Sequence, residues 1–388
     1  MQGTLVDAMH PESAEIALPQ FDAVGLARRA ALPAAVVIAG VATLILVQGK
    51  LGVIADAFHR ALDADWRWVA AGAAFELLSF AGYVALMWLV AGRATPRIDL
   101  RRAVEVTLGG AAATRLLPTA GVGGAALTLW TFRRAGMNKR ASMRTLLTFL
   151  VVLYAVFLVA IVVSGAVTAA GGEGPLTLSA IPAAIAATGF AVVLVLGLWR
   201  RRVGANGTTD ADRDPAALER LGTPVIDADN PRAGRVRRGA LILGDATADA
   251  IGLLRTRDPR LLGALAWWTF DAAVLWAMLS AFGAANAIAV VALAYFVGQV
   301  GNTIPVPGAV SGGIVGVLLA FGVDADVALV SVLGYRCVAI WLPAPIGLAA
   351  LTGLRRTLAG WAREDGTPEL RLIDTPPAAA PAPQAIAA

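Results

Sequence analysis

Four ionisable side chains stand inside long apolar runs: Glu76, Arg115, Asp271 and Arg336. A charge at the centre of a bilayer costs at least about 2.5–3.5 kcal/mol, so such groups face protein or a watery cavity and usually pair. Two carboxylates and two guanidiniums at that depth point to mutual neutralisation around a polar cavity. There the guanidinium of Arg336, near a helix break, can grip a phosphate through two parallel hydrogen bonds. Plainer roles stay open: Glu76 and Asp271 can simply lock helices together, and Arg115 can snorkel to the membrane surface. The amides Gln299 and Asn302 read either as substrate ligands or as caps of a half-helix.

The rest of the chain offers no catalytic set. It has no GxxxxGK[ST] loop, no HExxH and no histidine in an apolar run, and Ser311 has no general base in sequence reach. His10 and His59 lack partners at ligand spacing, so neither a metal nor a cofactor is expected. The one cysteine, Cys337, excludes an intramolecular disulfide and reads as an inert buried thiol. The expectation is a protein that is not an enzyme.

The elements that must hold these residues are broken helices. The stretch QVGNTIPVPGAVSGGIVG, residues 299–316, carries Pro305, Pro307, Gly308, Gly312 and Gly313 inside an apolar run. Proline lacks the backbone donor and clashes with the preceding turn, and glycine costs about 1 kcal/mol against alanine, so one smooth helix cannot form. TRLLPTAGVGG, residues 114–124, repeats the arrangement: Pro118 precedes Gly121 by three, and the glycine pair is Gly123 and Gly124. Unwound backbone at membrane depth is tolerated only when buried in protein or lining a cavity, so each break marks a candidate site. Their backbone amides and half-helix N-termini can receive an anion.

Composition sets the environment. With 58% hydrophobic and 15% charged residues and a mean hydropathy of +0.70, this is a polytopic membrane protein. The net charge of +5 does not point to nucleic acid, because the arginines gather at the ends of apolar segments. Residues 1–29 form a polar N-terminal segment, and 30–47 is a first span read as an uncleaved anchor. The first membrane half runs over 30–199, with spans at 68–91, 145–170 and 176–199 and a broken segment at 103–132. A charged loop, 200–260, follows, with an amphipathic helix predicted on the membrane surface at 240–254. The second half, 261–354, has spans at 261–283 and 327–351 around a broken segment at 287–321, and a tail, 355–388, rich in Ala and Pro, is expected to be disordered. The tryptophans Trp267, Trp268 and Trp341 read as interface anchors or lipid-facing packing.

Basic clusters flank both ends of the first broken segment (Arg93, Arg97, Arg101 and Arg102 before it; Arg133, Arg134, Lys139, Arg140 and Arg144 after it). Uncharged or acidic loops flank the second. The prediction is therefore an all-α polytopic bundle with inverted-topology repeats and two re-entrant hairpins, opening to opposite sides and meeting near the midplane. The expected location is the plasma membrane, with both termini in the cytoplasm and the oligomeric state left open to a homo-oligomer.

The second unit resembles the lysylphosphatidylglycerol synthase transmembrane-domain family, a flippase-type membrane domain. Pro305, Pro307, Gly308, Gly312, Gly313 and Gly322 match its hairpin, and Tyr335, Arg336, Trp341, Leu342 and Pro343 match its Tyr-Arg…Trp-Leu-Pro segment. The resemblance covers 30–355 and is best over 295–347. Ile314 and Val315 stand where the family carries an acid after the glycines, and Tyr154 stands where an arginine is usual. The resemblance implies a stand-alone member without the synthase domain that moves an anionic phospholipid or lipid-linked head group between leaflets. Arg336 and Arg115 would hold the phosphate, with Glu76 and Asp271 as gates or proton-coupling groups. A transporter of a small soluble anion, and a membrane scaffold recruiting an envelope enzyme through loop 200–260, are the alternatives.

Overall fold

The computed structural model describes residues 64–116, 122–172, 174–211, 231–284, 287–303 and 308–365. The N-terminal segment, the first span 30–47, Pro118, Gly121, Pro305, Pro307 and the tail from Thr367 lie outside the described residues, as does the side chain of Arg115.

The described residues form helices and no strand. In chain order these are α1 (Trp66–Ala94), α2 (Leu100–Leu116), α3 (Val122–Arg134), α4 (Lys139–Gly171), α5 (Leu176–Ala211) and α6 (Pro231–Arg255). After a 3-10 turn at Pro259–Leu261 come α7 (Leu262–Ala281), α8 (Ile288–Gln299), a 3-10 turn at Val300–Thr303, α9 (Ala309–Ala320), α10 (Ala325–Arg336) and α11 (Pro343–Glu364). Among the described residues, five segments are long and apolar enough to cross a bilayer: Trp66–Ala94, Lys139–Gly171, Leu176–Val203, Pro259–Ala281 and Ala325–Glu364. At 12 residues each, α8 and α9 rise only about 18 Å, well short of a hydrocarbon core of about 30 Å.

The bundle is centred on α1 and α7, which run antiparallel. The Asp65 amide donates to the Ala281 carbonyl at one end, the Ser79 hydroxyl donates to the Trp267 carbonyl midway, and Gly82 meets Gly263 further along. A Cβ on Gly263 would fall 2.2 Å from the Gly82 carbonyl oxygen, so the backbones touch directly. Lipid gives helices no hydrophobic reason to associate, and close approach through small residues supplies van der Waals contact instead. Around this pair, α2 packs on α11 and α8 on α4. The first contact carries a bond from Thr357 to the buried Glu105 carboxylate at 2.7 Å. The second carries the edge contact of Phe157 with Phe296.

The two pairs of short helices fold back on themselves at glycines. In α2–α3, Gly124 lies against the Gly110 carbonyl; in α8–α9, Gly313 lies against Gly298 and Gly301 against Ala309. Gly308, at φ +84°, starts α9 in a backbone conformation that only glycine adopts without strain. The ends of the two pairs lie apart. Ala135, just after α3, accepts a bond from Thr95 in the loop between α1 and α2, among the basic clusters. Phe321, just after α9, sits where a Cβ on Gly174 of the α4–α5 loop would meet it at 2.5 Å.

Three details differ from the sequence expectations. The amphipathic helix of 240–254 belongs to the longer α6, which packs on α4 and α5 through buried Ala246, Thr247 and Ala250, because aspartates on its face reach Arg144 and Arg200. Trp268 is buried and donates its indole N–H to the Leu153 carbonyl at 2.8 Å, tying α7 to α4 instead of anchoring at the interface. Cys337 is exposed, not buried. It opens a five-residue π segment, Cys337–Trp341, immediately ahead of Pro343, whose missing N–H and bulky ring forbid an ordinary turn.

Candidate functional site

Asp271 sits in the middle of α7, 4% exposed. Two tyrosine hydroxyls converge on it. Tyr295 of α8 donates to Oδ2 in a short bond, and Tyr335 of α10 reaches both oxygens at 3.4 Å. Tyr295 and Tyr335 are themselves fully enclosed, with ring centroids 6.1 Å apart and planes nearly perpendicular. The hydroxyl of Tyr335 also accepts from Gln299 Nε2 at 3.1 Å, and Gln299 Oε1 accepts from Asn302 Nδ2 at 2.7 Å. Asn302 is exposed, in the 3-10 turn where α8 breaks.

A hydrogen-bonded track thus leads from a carboxyl deep in the bundle to the break. Hydroxyls can accept and pass a proton, whereas amides only donate and accept hydrogen bonds in fixed positions. The inner part of the track is therefore suited to proton exchange and the outer part to ordering a polar ligand or water. Helix register explains the assembly: Tyr295 and Gln299 are four residues apart and so share one face of α8.

Arg336 follows Tyr335 at the end of α10. Its Nε donates to Ser311 Oγ of α9 at 3.1 Å, and its guanidinium lies 5.5 Å from the Tyr335 ring. Its terminal nitrogens have no partner among the described residues, so a free edge of the guanidinium remains beside the second hairpin. Asp271 and Arg336 are not bonded to each other: Asp271 is held by tyrosines, and Arg336 by a serine.

Glu76 is at the same level as Asp271, since it lies three residues before Ser79 while Asp271 lies four after Trp267, the bonded pair of the antiparallel helices. The two acids serve different sides. Glu76, 1% exposed, is at the floor of an apolar groove of about 420 Å³ bounded by α1, α2 and α11, with Leu108, Pro343 and Ile346 among its walls. At the groove's other end Arg260 stacks over Trp88 at 4.6 Å while its guanidinium binds Asp258. Asp258 is thereby held down at about 2, chiefly by its bond from Arg260. Of the candidate glycines, Gly124 and Gly313 lie against the facing arms of their hairpins, Gly123 is buried beside Gly124, and Gly308 and Gly312 are exposed with open space where a Cβ would stand. Among the described residues no group of His, Cys, Asp and Glu is placed to hold a metal.

Residues 32–347 match the lysylphosphatidylglycerol synthase TM region. The chain belongs to that family. A comparison with curated proteins found no match. The Asp271 track, Ser311 and Arg336 all lie within the region that this lysylphosphatidylglycerol synthase TM family member shares with its family. The sequence singles out Asp271, Gln299, Asn302 and Arg336 as site residues and Tyr335 only as part of a family motif; Tyr295 is not among them. The signal was there: a tyrosine in an apolar run must find a partner for its hydroxyl, and two of the chain's four tyrosines stand next to the suspected polar residues.

Proposed function

We propose that this family member moves an anionic phospholipid or lipid-linked head group across the plasma membrane, without catalysing a covalent reaction. In this reading α2–α3 and α8–α9 are re-entrant hairpins of two inverted repeats, built from α1 to α4 and from α7 to α11. Several observations support it. The leading helices α1 and α7 run antiparallel, each hairpin leans on the closing helix of the other unit, and the outer ends of the two hairpins lie at different ends of the bundle. By the positive-inside rule we read the arginine-rich end as cytoplasmic, and the end of α11 belongs to that same end because Arg97 binds Asp365.

The observation that carries the proposal is the polar track from Asp271 to the break, with the free guanidinium edge of Arg336 beside it. Arg336, with Arg115 from the first hairpin, holds the phosphate. Asp271 and its tyrosines exchange a proton or gate the cavity, and Glu76 takes the matching place in the first unit. The test is scrambling of fluorescent phosphatidylglycerol in proteoliposomes. Losing one charge-assisted contact of about 1.5–3 kcal/mol, Arg336→Ala should slow transfer at least about tenfold. Equal rates for the native chain and the variant would remove Arg336 from the mechanism.

A further inference from the structure

A second concavity, of about 640 Å³, opens at the arginine-rich end of the bundle, among the last turn of α1, the start of α4, Arg201 of α5 and the C-terminal turns of α6. Three guanidiniums line it, Arg93, Arg144 and Arg201, against the single carboxylate of Asp249. Arg144 is already satisfied, because its Nε and Nη2 donate to the two oxygens of Asp249 at 2.5 and 2.6 Å. The neighbouring acid, Asp245, is taken by Arg200, whose Nε and Nη2 both donate to Oδ1. Asp258 feels the charge of Arg93, but its carboxylate is bound to Arg260. Arg93 and Arg201 therefore bring two positive charges, from two separate helices, to one space with no carboxylate bonded to either among the described residues.

Like charges facing one cavity repel, and an anion between them reverses the sign of that energy. Thr145 and Thr148 add no selectivity for a different ligand, since their hydroxyls are spent on Met137 and on the Arg144 carbonyl. The fork of a guanidinium fits two oxygens of a phosphate, and basic pockets between helices on the cytoplasmic side favour phosphorylated head groups. The approach to the pocket fits as well. Leu198 and Trp199, just before Arg201, are exposed on α5, a helix that buries little of its surface in the bundle and so presents an apolar flank beside the arginine.

We infer that Arg93 and Arg201 form a binding site for a phosphate-bearing anion, separate from the hairpins, supplied either by an anionic phospholipid of the adjoining leaflet or by a free phosphorylated solute. Its occupant bridges α1 and α5 across the face of α6. The site does not depend on lipid transport by the hairpins, so either claim can fail alone.

The test uses the full chain. Retention of phosphatidylglycerol against phosphatidylcholine is measured by native mass spectrometry after mixed-lipid nanodiscs, and binding of inorganic phosphate is measured by titration in detergent. Replacing both arginines (R93Q with R201Q) should weaken binding by about tenfold for each arginine lost. R356Q, on the exposed face of α11, should change nothing. R201K, which keeps the charge and loses the fork, should fall between and guards against a double variant that does not fold. Arginine-dependent retention of the lipid that phosphate does not displace assigns the site to a lipid, and arginine-dependent phosphate binding assigns it to a solute. Binding of neither probe, or binding that R93Q with R201Q or R201K leaves at the native level, overturns the site.

Discussion

Tyr295→Phe removes one hydroxyl and almost no volume, so it isolates the bond to Asp271 from the packing around it. A hydrogen bond to a charged group is worth about 1.5–3 kcal/mol, and the carboxylate left behind is 4% exposed with only the two 3.4 Å contacts from Tyr335 to replace it. The expected cost is about 2 kcal/mol. Tyr335→Phe removes those longer contacts, and Gln299 can turn toward water, so its cost should be nearer 1 kcal/mol. The decisive arrangement is a double-mutant cycle with Asp271→Asn, in which the acceptor is neutral and the hydroxyl is worth only about 0.5–1.5 kcal/mol. Tyr295→Phe should then cost about 1 kcal/mol less in the Asn background than in the native one. Reversible unfolding in mixed detergent micelles measures all four corners. A coupling energy below about 0.3–0.5 kcal/mol, the range in which independent sites add, would refute the view that Tyr295 serves an anionic Asp271.

Gly263→Val should cost more than the about 1–3 kcal/mol typical of overpacking, because its Cβ would lie 2.2 Å from the Gly82 carbonyl; a melting temperature equal to the native one would contradict the α1–α7 contact. In the first hairpin Gly124→Ala should be severe, with Thr114 Oγ1 at 2.2 Å, and Gly110→Ala mild at 3.7 Å; in the second Gly298→Ala should be severe at 2.3 Å from Ile314 and Gly313→Ala intermediate, because its Cβ would stand 3.1 Å from the Gly298 backbone. Expression yield and melting temperature of the four variants check this. Arg97 holds the Asp365 carboxyl below the usual carboxylate range, so the stability this tie contributes is complete above the ordinary carboxylate pKa and is lost as pH falls through the lowered one. Melting between about pH 6 and about pH 3 should therefore show a smaller acid-induced fall in Asp365→Asn than in the native chain.

What the sequence made legible is what backbone chemistry decides. Proline and glycine between 299 and 316 had to end α8 and restart a helix, and they do so at Gln299 and Ala309, with Gly308 in the left-handed region. Span lengths followed from apolar runs, although α5 continues to Ala211 because charged residues extend a helix past the membrane as readily as they end it. The illegible part is rotational. Whether Asp271 faces an arginine or a tyrosine depends on how α7 turns against α8 and α10, and a hydropathy profile carries no such angle. Trp268 shows the same limit, since a tryptophan at the interface and one whose indole reaches a carbonyl in the core have the same composition around them. The exposure of Cys337 follows from the π segment that Pro343 imposes, a consequence of one residue acting six positions upstream.

These particulars share a cause. Two acids at one level of the bundle cannot be set by the acids themselves, because burying each carboxylate is unfavourable until its donors are in place. Something else has to fix the helices first. The contact of Gly82 with Gly263 does so for α1 and α7, and the Gly110–Gly124 and Gly298–Gly313 contacts do so within the hairpins. Each lets backbones touch where lipid supplies no drive for association, and the closest approach falls where glycine faces glycine, so register is set there. Once α7 and α8 are held in that way, Tyr295 has nowhere to place its hydroxyl except against Asp271, and Gln299, one turn on, extends the track toward the break. The chemistry of the site thus rests on residues that carry none, which is why substitutions at glycines far from Arg336 should disturb it as strongly as changes to its polar groups.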